Sequence, residues 1–188
     1  MPAVRNVAVL VGSLRKESLT RKVAHAVAAL APPSLKLEMV EIGQLSLYNQ
    51  DLESTPPAEW VAFRDRIRAA DAVLFATPEY NRSVPGALKN AIDVGSRPRE
   101  SSAFNGKPAA VISVSPGALA GFGANHHLRQ MLVFLNVPAM AQPEAYIGGA
   151  GKLFDADGNL INDSTRDFLR NFVESFGRWI ELILAGKQ

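Results

Sequence analysis

Ala72-Val73-Leu74-Phe75-Ala76 runs directly into Thr77-Pro78-Glu79-Tyr80-Asn81-Arg82-Ser83-Val84-Pro85-Gly86-Ala87-Leu88-Lys89-Asn90-Ala91-Ile92-Asp93, and the reading of this stretch decides the fold. Five consecutive apolar residues are too few for a typical helix and rich in β-formers, so they read as a strand buried on both faces. Pro78 has no amide hydrogen and ends the ladder. Glu79 to Arg82 then stand at the strand's C-terminal end. Ser83 is expected as an N-cap and Pro85 in the first turn of a helix carrying Leu88 and Ile92. Strand, polar loop and helix in that order mark the place where open α/β sheets bind ligands. Taken alone, the same residues fit an ordinary βα connection equally well.

The flanking sequence repeats the pattern. Val7-Ala8-Val9-Leu10-Val11 is a second continuous apolar run, ending in Gly12-Ser13-Leu14-Arg15-Lys16-Glu17-Ser18-Leu19-Thr20. A helix follows with Val23, Ala24, Val27, Ala28 and Leu30 on one face, closed by Pro32-Pro33. Leu35 to Val40 alternates and reads as an edge strand. Residues 43–57 are loop-like, and Pro57 starts a helix with Trp60, Phe63, Ile67 and Ala70 at helical spacing. Pro108 to Val114 is the fourth strand. The glycine-rich loop Ser115 to Gly123 leads into a helix with Leu128, Met131, Leu132 and Leu135. Val137 to Ala141 reads as the fifth strand, kept short or at an edge by Pro138. Asp157-Gly158 centres a turn or small hairpin, and a last helix from about Ser164 gathers Phe168, Leu169, Phe172, Phe176, Ile180 and Ile183 on one side.

Five alternations of strand and helix imply a doubly wound α/β fold, a five-stranded parallel sheet covered on both faces. The flavodoxin-like order 2-1-3-4-5 uses five strands and makes strands one and three neighbours where the chain reverses direction. The two most polar loops, 12–20 and 78–83, then lie side by side.

The chain has 188 residues, 47% of them hydrophobic, a formal net charge of +2 and no cysteine. That composition fits one domain over 1–188 and excludes disulfides, thiolate metal sites and thiol catalysis. The weak charge argues against nucleic acid or a membrane surface as partner. No run is long enough to span a bilayer. Met1 to Asn6 leads into a strand without the layout of a signal peptide, so a cytoplasmic protein is expected.

Residues 12–20 join a buried strand to a helix N-terminus, where free amides and the helix dipole favour an anion. Ser13, Ser18 and Thr20 add hydroxyls, and Arg15 adds a forked, permanently charged partner. The loop has neither the Walker pattern nor Gly-x-Gly-x-x-Gly, so a compact phosphomonoester fits better than a dinucleotide pyrophosphate. Other motifs carry less. His126 and His127 are consecutive and diverge by about 100° on a helix, so no metal site is expected. Asp155-Ala156-Asp157-Gly158 lacks the spacing and terminal Glu of a calcium loop. Ser13 lacks the Gly-x-Ser-x-Gly nucleophile elbow.

Gly12 to Ser18, Pro78 to Asp93 and Ser115-Pro116-Gly117 resemble the NADPH-dependent FMN reductase family, in particular its bacterial quinone and chromate reductase branch. The resemblance covers nearly the whole chain, in order and spacing. It implies a flavodoxin-like homodimer, or a dimer of dimers, holding FMN non-covalently and using NADPH or NADH as co-substrate. The FMN site it implies comprises Ser13, Leu14, Arg15, Ser18, Leu19 and Thr20 around the phosphate, Pro78, Glu79, Tyr80, Asn81 and Arg82 at the ring edge, and Ser115 and Gly117 beside ribityl and ring. It also implies that the helix after Pro85 joins the dimer interface and that Arg82 reaches the partner's flavin. No catalytic side chain is expected, because the cofactor carries the chemistry. Electrons would pass to a quinone, free flavin, azo dye or chromate-like oxyanion. One departure is Gly123, where many relatives carry an arginine that joins a contact between dimers. A flavodoxin-type electron carrier or flavin-binding redox sensor is the alternative. The basic pI of about 9.0 disfavours the carrier. A phosphate-ester hydrolase using the 12–20 loop would stay colourless when FMN is added.

Overall fold

The computed structural model describes residues 4–186; Met1 to Ala3, which begin the lead-in read above, lie outside them. Strands β1 (Arg5–Val11), β2 (Leu35–Val40), β3 (Ala72–Thr77), β4 (Ala109–Val114) and β5 (Ala145–Ile147) form one sheet in the order β2-β1-β3-β4-β5. Every adjacent pair is parallel, so the flavodoxin-like order expected from the strand–helix alternation is the one observed. The helices are α1 (Leu19–Ala29), α2 (Ala58–Ala69), α3 (Gly86–Gly95), α4 (Phe122–Phe134) and α5 (Asp163–Ala185).

Side chains alternate across the sheet because a strand has a period of two. Ala8, Leu10, Val73, Phe75 and Val111 face a core with Trp60 and Phe63 of α2, Leu88 and Ile92 of α3 and Leu128 of α4. Val7, Val9, Leu74, Ile112 and Val114 face the opposite core, built with Val23 and Val27 of α1 and Leu169, Phe172, Phe176 and Ile180 of α5. Strands with both faces buried favour apolar side chains on both, which accounts for the unbroken apolar runs at 7–11 and 72–76.

Two local readings change. Val137 to Ala141 is not the fifth strand; Ala139 makes a single isolated bridge to Ala109. Pro138 has no N–H to extend that pairing, and the chain joins β4 only at Ala145–Ile147, in register with Ile112–Val114. Ser83 does not cap α3, whose N-cap position is Pro85 without a side-chain hydrogen bond. The loop over 43–57 is present, with a short 3-10 turn at Gln50–Leu52. Asn90 of α3 pins it, accepting from Tyr48 N at 2.8 Å and donating to Ser46 O at 3.0 Å. No described helix is long and apolar enough to cross a membrane.

Close packing is tightest at Gly95, where an added Cβ would collide with the Phe104 ring and lie 3.0 Å from Phe63 Cε1. Overpacking of this kind costs about 1–3 kcal/mol. Gly95→Ala is expected to lower the urea midpoint with little change in the m-value. An unshifted midpoint would show that this helix–ring contact yields freely.

Candidate functional site

Three connections meet along the C-terminal edge of the sheet. Gly12, directly after β1, donates its N–H to Ala76 O at 2.8 Å. A Cβ there would lie 3.3 Å from Pro78 Cδ and 3.2 Å from Leu88 Cδ2. Only glycine lets the loops after β1 and β3 approach this closely. Beyond it, Ser13, Ser18 and Thr20 are buried. Ser18 is the N-cap of α1, accepting from Arg21 N at 3.1 Å. The hydroxyls of Ser13 and Thr20, and the amides of Ser13, Leu14, Arg15 and Thr20, have no partner among the described residues. Arg15 is exposed and likewise forms no ion pair among them. Leu14 packs 3.2 Å from the Cβ position of Gly43, and Leu19 opens α1. Free amides, free hydroxyls and an unpaired guanidinium at a helix N-terminus make an anion cradle.

The loop after β3 is held differently. Tyr80 and Ser83 exchange both backbone hydrogen bonds, at 2.9 and 3.0 Å. Between them Asn81 and Arg82 take left-handed φ values of 51° and 63°, the geometry of a type I′ turn. The amides of Glu79, Asn81 and Arg82 find no acceptor among the described residues. Glu79 fastens the turn to α4. One carboxylate oxygen accepts from Ala124 N at 3.0 Å, the other from Arg82 Nη1 at 3.1 Å. The N-cap position of α4 is Gly121 (φ 74°), which has no side chain to cap with, so Glu79 caps the helix from a neighbouring loop and meets the positive end of its dipole. Ser83, freed from capping α3, pairs with His127 Nδ1 at 2.8 Å.

The loop after β4 completes the edge. Ser115 accepts from Gly117 N through its side chain at 3.1 Å and from Ala150 N through its carbonyl at 3.1 Å. A Cβ on Gly148 would lie 3.1 Å from Gly117 O, and one on Gly123 would lie 2.9 Å from Glu79 Oε2 and 3.0 Å from Arg82 O. The second contact accounts for glycine at 123: a side chain has no room there while Glu79 and Arg82 keep their places. Because β3 stands between β1 and β4, the 78–83 loop touches both neighbours and separates them.

Sequence reasoning missed an aromatic cluster beside this third loop. Phe122 lies 4.3 Å from the His126 ring and 5.5 Å from that of Tyr146, centroid to centroid. Tyr146 donates to Glu144 at 2.8 Å, so His126 Nε2, 3.0 Å from the same hydroxyl, is the donor to it. Burial, reinforced by Glu144, pushes the Tyr146 phenol up to about 12. The two histidines point to different partners, as their consecutive placement on a helix requires. Nothing in the spacing of 122, 126 and 146 signals the cluster before β5 is correctly placed.

Comparison with known proteins locates this arrangement. A sequence profile described as NADPH-dependent FMN reductase matches residues 5–152. A quinone reductase of Pseudomonas putida is 64% identical over 183 residues, covering 97% of this chain and 98% of its own. A 2-hydroxy-1,4-benzoquinone reductase of a Burkholderia species is 44% identical over 174 residues, covering 93% and 95%. Among solved structures, the flavoenzyme NAD(P)H:(acceptor) oxidoreductase FerB from Paracoccus denitrificans superposes with a TM-score of 0.89 at 44% identity, covering 95% of this chain and 98% of that one.

The tie between Glu79 and α4 is open to test. Glu79→Ala removes the cap and is expected to cost about 1 kcal/mol of stability, with faster hydrogen exchange at the Ala124 amide. Unchanged exchange there would mean that the carboxylate does not hold α4.

Proposed function

This chain belongs to the NADPH-dependent FMN reductase family, and on that premise we propose that it binds FMN along the C-terminal edge of its sheet and passes electrons from NADPH or NADH to a quinone-type acceptor. The observation that carries the reading is the matched pair of donor sets on adjoining loops. The 13–20 cradle suits a phosphate dianion, with Arg15 as its charged partner and Ser13, Ser18 and Thr20 as hydroxyl donors. The free amides of Glu79, Asn81 and Arg82 suit the oxygen- and nitrogen-bearing edge of a flat ring. Pro78 and Tyr80 frame that edge, and Ser115 and Gly117 border it on the side of β4. Bound FMN supplies hydride acceptance and donation. The chain's own part is to hold and orient. Amides that point at the ring edge favour negative charge there without a proton donor, so no acid or base is assigned.

Several further properties belong to this reading. The 1–188 chain forms one domain. It works in the cytoplasm, where reduced nicotinamides are made and used. A groove of about 490 Å³ between α3 and α4, lined in part by Ile92, Met131, Phe134 and Leu135, serves as the face for a second copy. Light scattering at twice the chain mass is expected; a monomer at micromolar concentration would refute the pairing.

The functional reading is tested by colour. Purified protein loaded with FMN and mixed anaerobically with NADPH or NADH is expected to bleach within seconds. A yellow protein that stays yellow for minutes is a carrier or sensor instead, and a protein that never takes up FMN has another function altogether. Arg15→Ala is expected to weaken FMN binding about 10- to 150-fold, the range for a charge-assisted hydrogen bond. Unchanged affinity would remove Arg15 from the phosphate site.

A further inference from the structure

The 80–83 turn puts an arginine where its backbone is poorly suited. The second central position of a type I′ turn is most often glycine, because a Cβ at positive φ crowds the backbone; here Arg82 occupies it at 63°. Burial of the side chain does not compensate. The Arg82 side chain is 73% exposed and bonds to Glu79, whose own side chain is 12% exposed. Glu79 is already satisfied through its second oxygen by Ala124 N at the start of α4. With the guanidinium end of the pair open to solvent, it adds little to stability. Backbone strain kept for a single contact to Glu79 points to function.

Placement narrows what that function is. Arg15 serves the 13–20 cradle. Arg82 lies on the other flank of the 78–83 loop, where its carbonyl faces Gly123. In the single chain its guanidinium stands at the rim with most of its donors unbonded, suited to a second phosphate that arrives and leaves with each turnover. Resting on the flavin-reductase reading, we propose that Arg82 is a specificity-determining residue that recognises a phosphate of the reducing dinucleotide, and that the strained turn is kept in order to present it. The phosphate is either the 2′-phosphate of NADPH or the pyrophosphate common to both nicotinamides.

The test uses FMN-loaded wild type, R82G and R82K. Calorimetric titration with 2′,5′-ADP and with 5′-ADP reads dinucleotide-phosphate binding without turnover, and fluorescence quenching reads FMN affinity of the apoproteins. R82G is expected to keep a thermal midpoint at or above that of wild type, since glycine suits the turn, and to bind 2′,5′-ADP about 5- to 20-fold more weakly. R82K, which keeps charge without the fork, should fall between. Loss confined to 2′,5′-ADP assigns the 2′-phosphate, and equal loss with 5′-ADP assigns the pyrophosphate; either supports the inference. Unchanged binding of both probes by folded R82G overturns it, as does a loss of FMN affinity as large as the loss of probe binding. A wild-type holoprotein that neither NADPH nor NADH bleaches overturns the reductase reading and this inference together. A wild type that bleaches beside an indifferent R82G overturns this inference alone.

Discussion

Val7 to Val11 of β1 pair in parallel register with Ala72 to Ala76 of β3, while β2 lies on the far side of β1. The chain therefore leaves β1 toward the α1 face and leaves β3 toward the α3 face. Two helices depart from neighbouring strands in opposite directions, and a crevice opens between their first turns. The anion cradle, the free amides of the 79–82 turn and the contact at Gly12 all lie at that divergence. A sheet in plain sequential order would place β2 between the two loops and separate them by a further strand spacing.

The site is built from backbone more than from side chains. Free amides cost several kcal/mol when buried unpaired, so a loop that displays them must remain at the surface and be held from behind. Three devices hold this edge. Glycines at 12, 123 and 148 let adjoining loops meet at van der Waals distance. Glu79 joins the turn after β3 to the start of α4. The paired hydrogen bonds between Tyr80 and Ser83 fix the turn that displays Asn81 and Arg82. Together they hold the donor array in place from within the fold, which is what preorganised electrostatics requires.

Much of this was legible in the sequence. The apolar runs at 7–11, 72–76 and 108–114 gave β1, β3 and β4 nearly to the residue, and alternation at 35–40 marked β2 as an edge. The fifth strand was misplaced because its three residues, Ala145–Ile147, give too short a period to detect, while 137–141 offers a more apolar run. Ser83 looked like a cap because serine is a preferred N-cap residue and Pro85, two positions on, suits a first helical turn. Its real partner, His127, sits 44 residues away, and the turn it closes lacks the Asn-Gly signature that would have announced it, since Arg replaces Gly. Long-range partners such as Glu79 with Ala124 leave no periodic trace in a single sequence.

The central claim is that three loops, after β1, β3 and β4, form one FMN site. Titrating the isotope-labelled apoprotein with FMN and following backbone amide resonances tests it directly. The account predicts that amides within 13–20, 79–82 and 115–119 shift together and saturate at one FMN per chain. Shifts confined to one loop, or centred on the groove between α3 and α4, would contradict it.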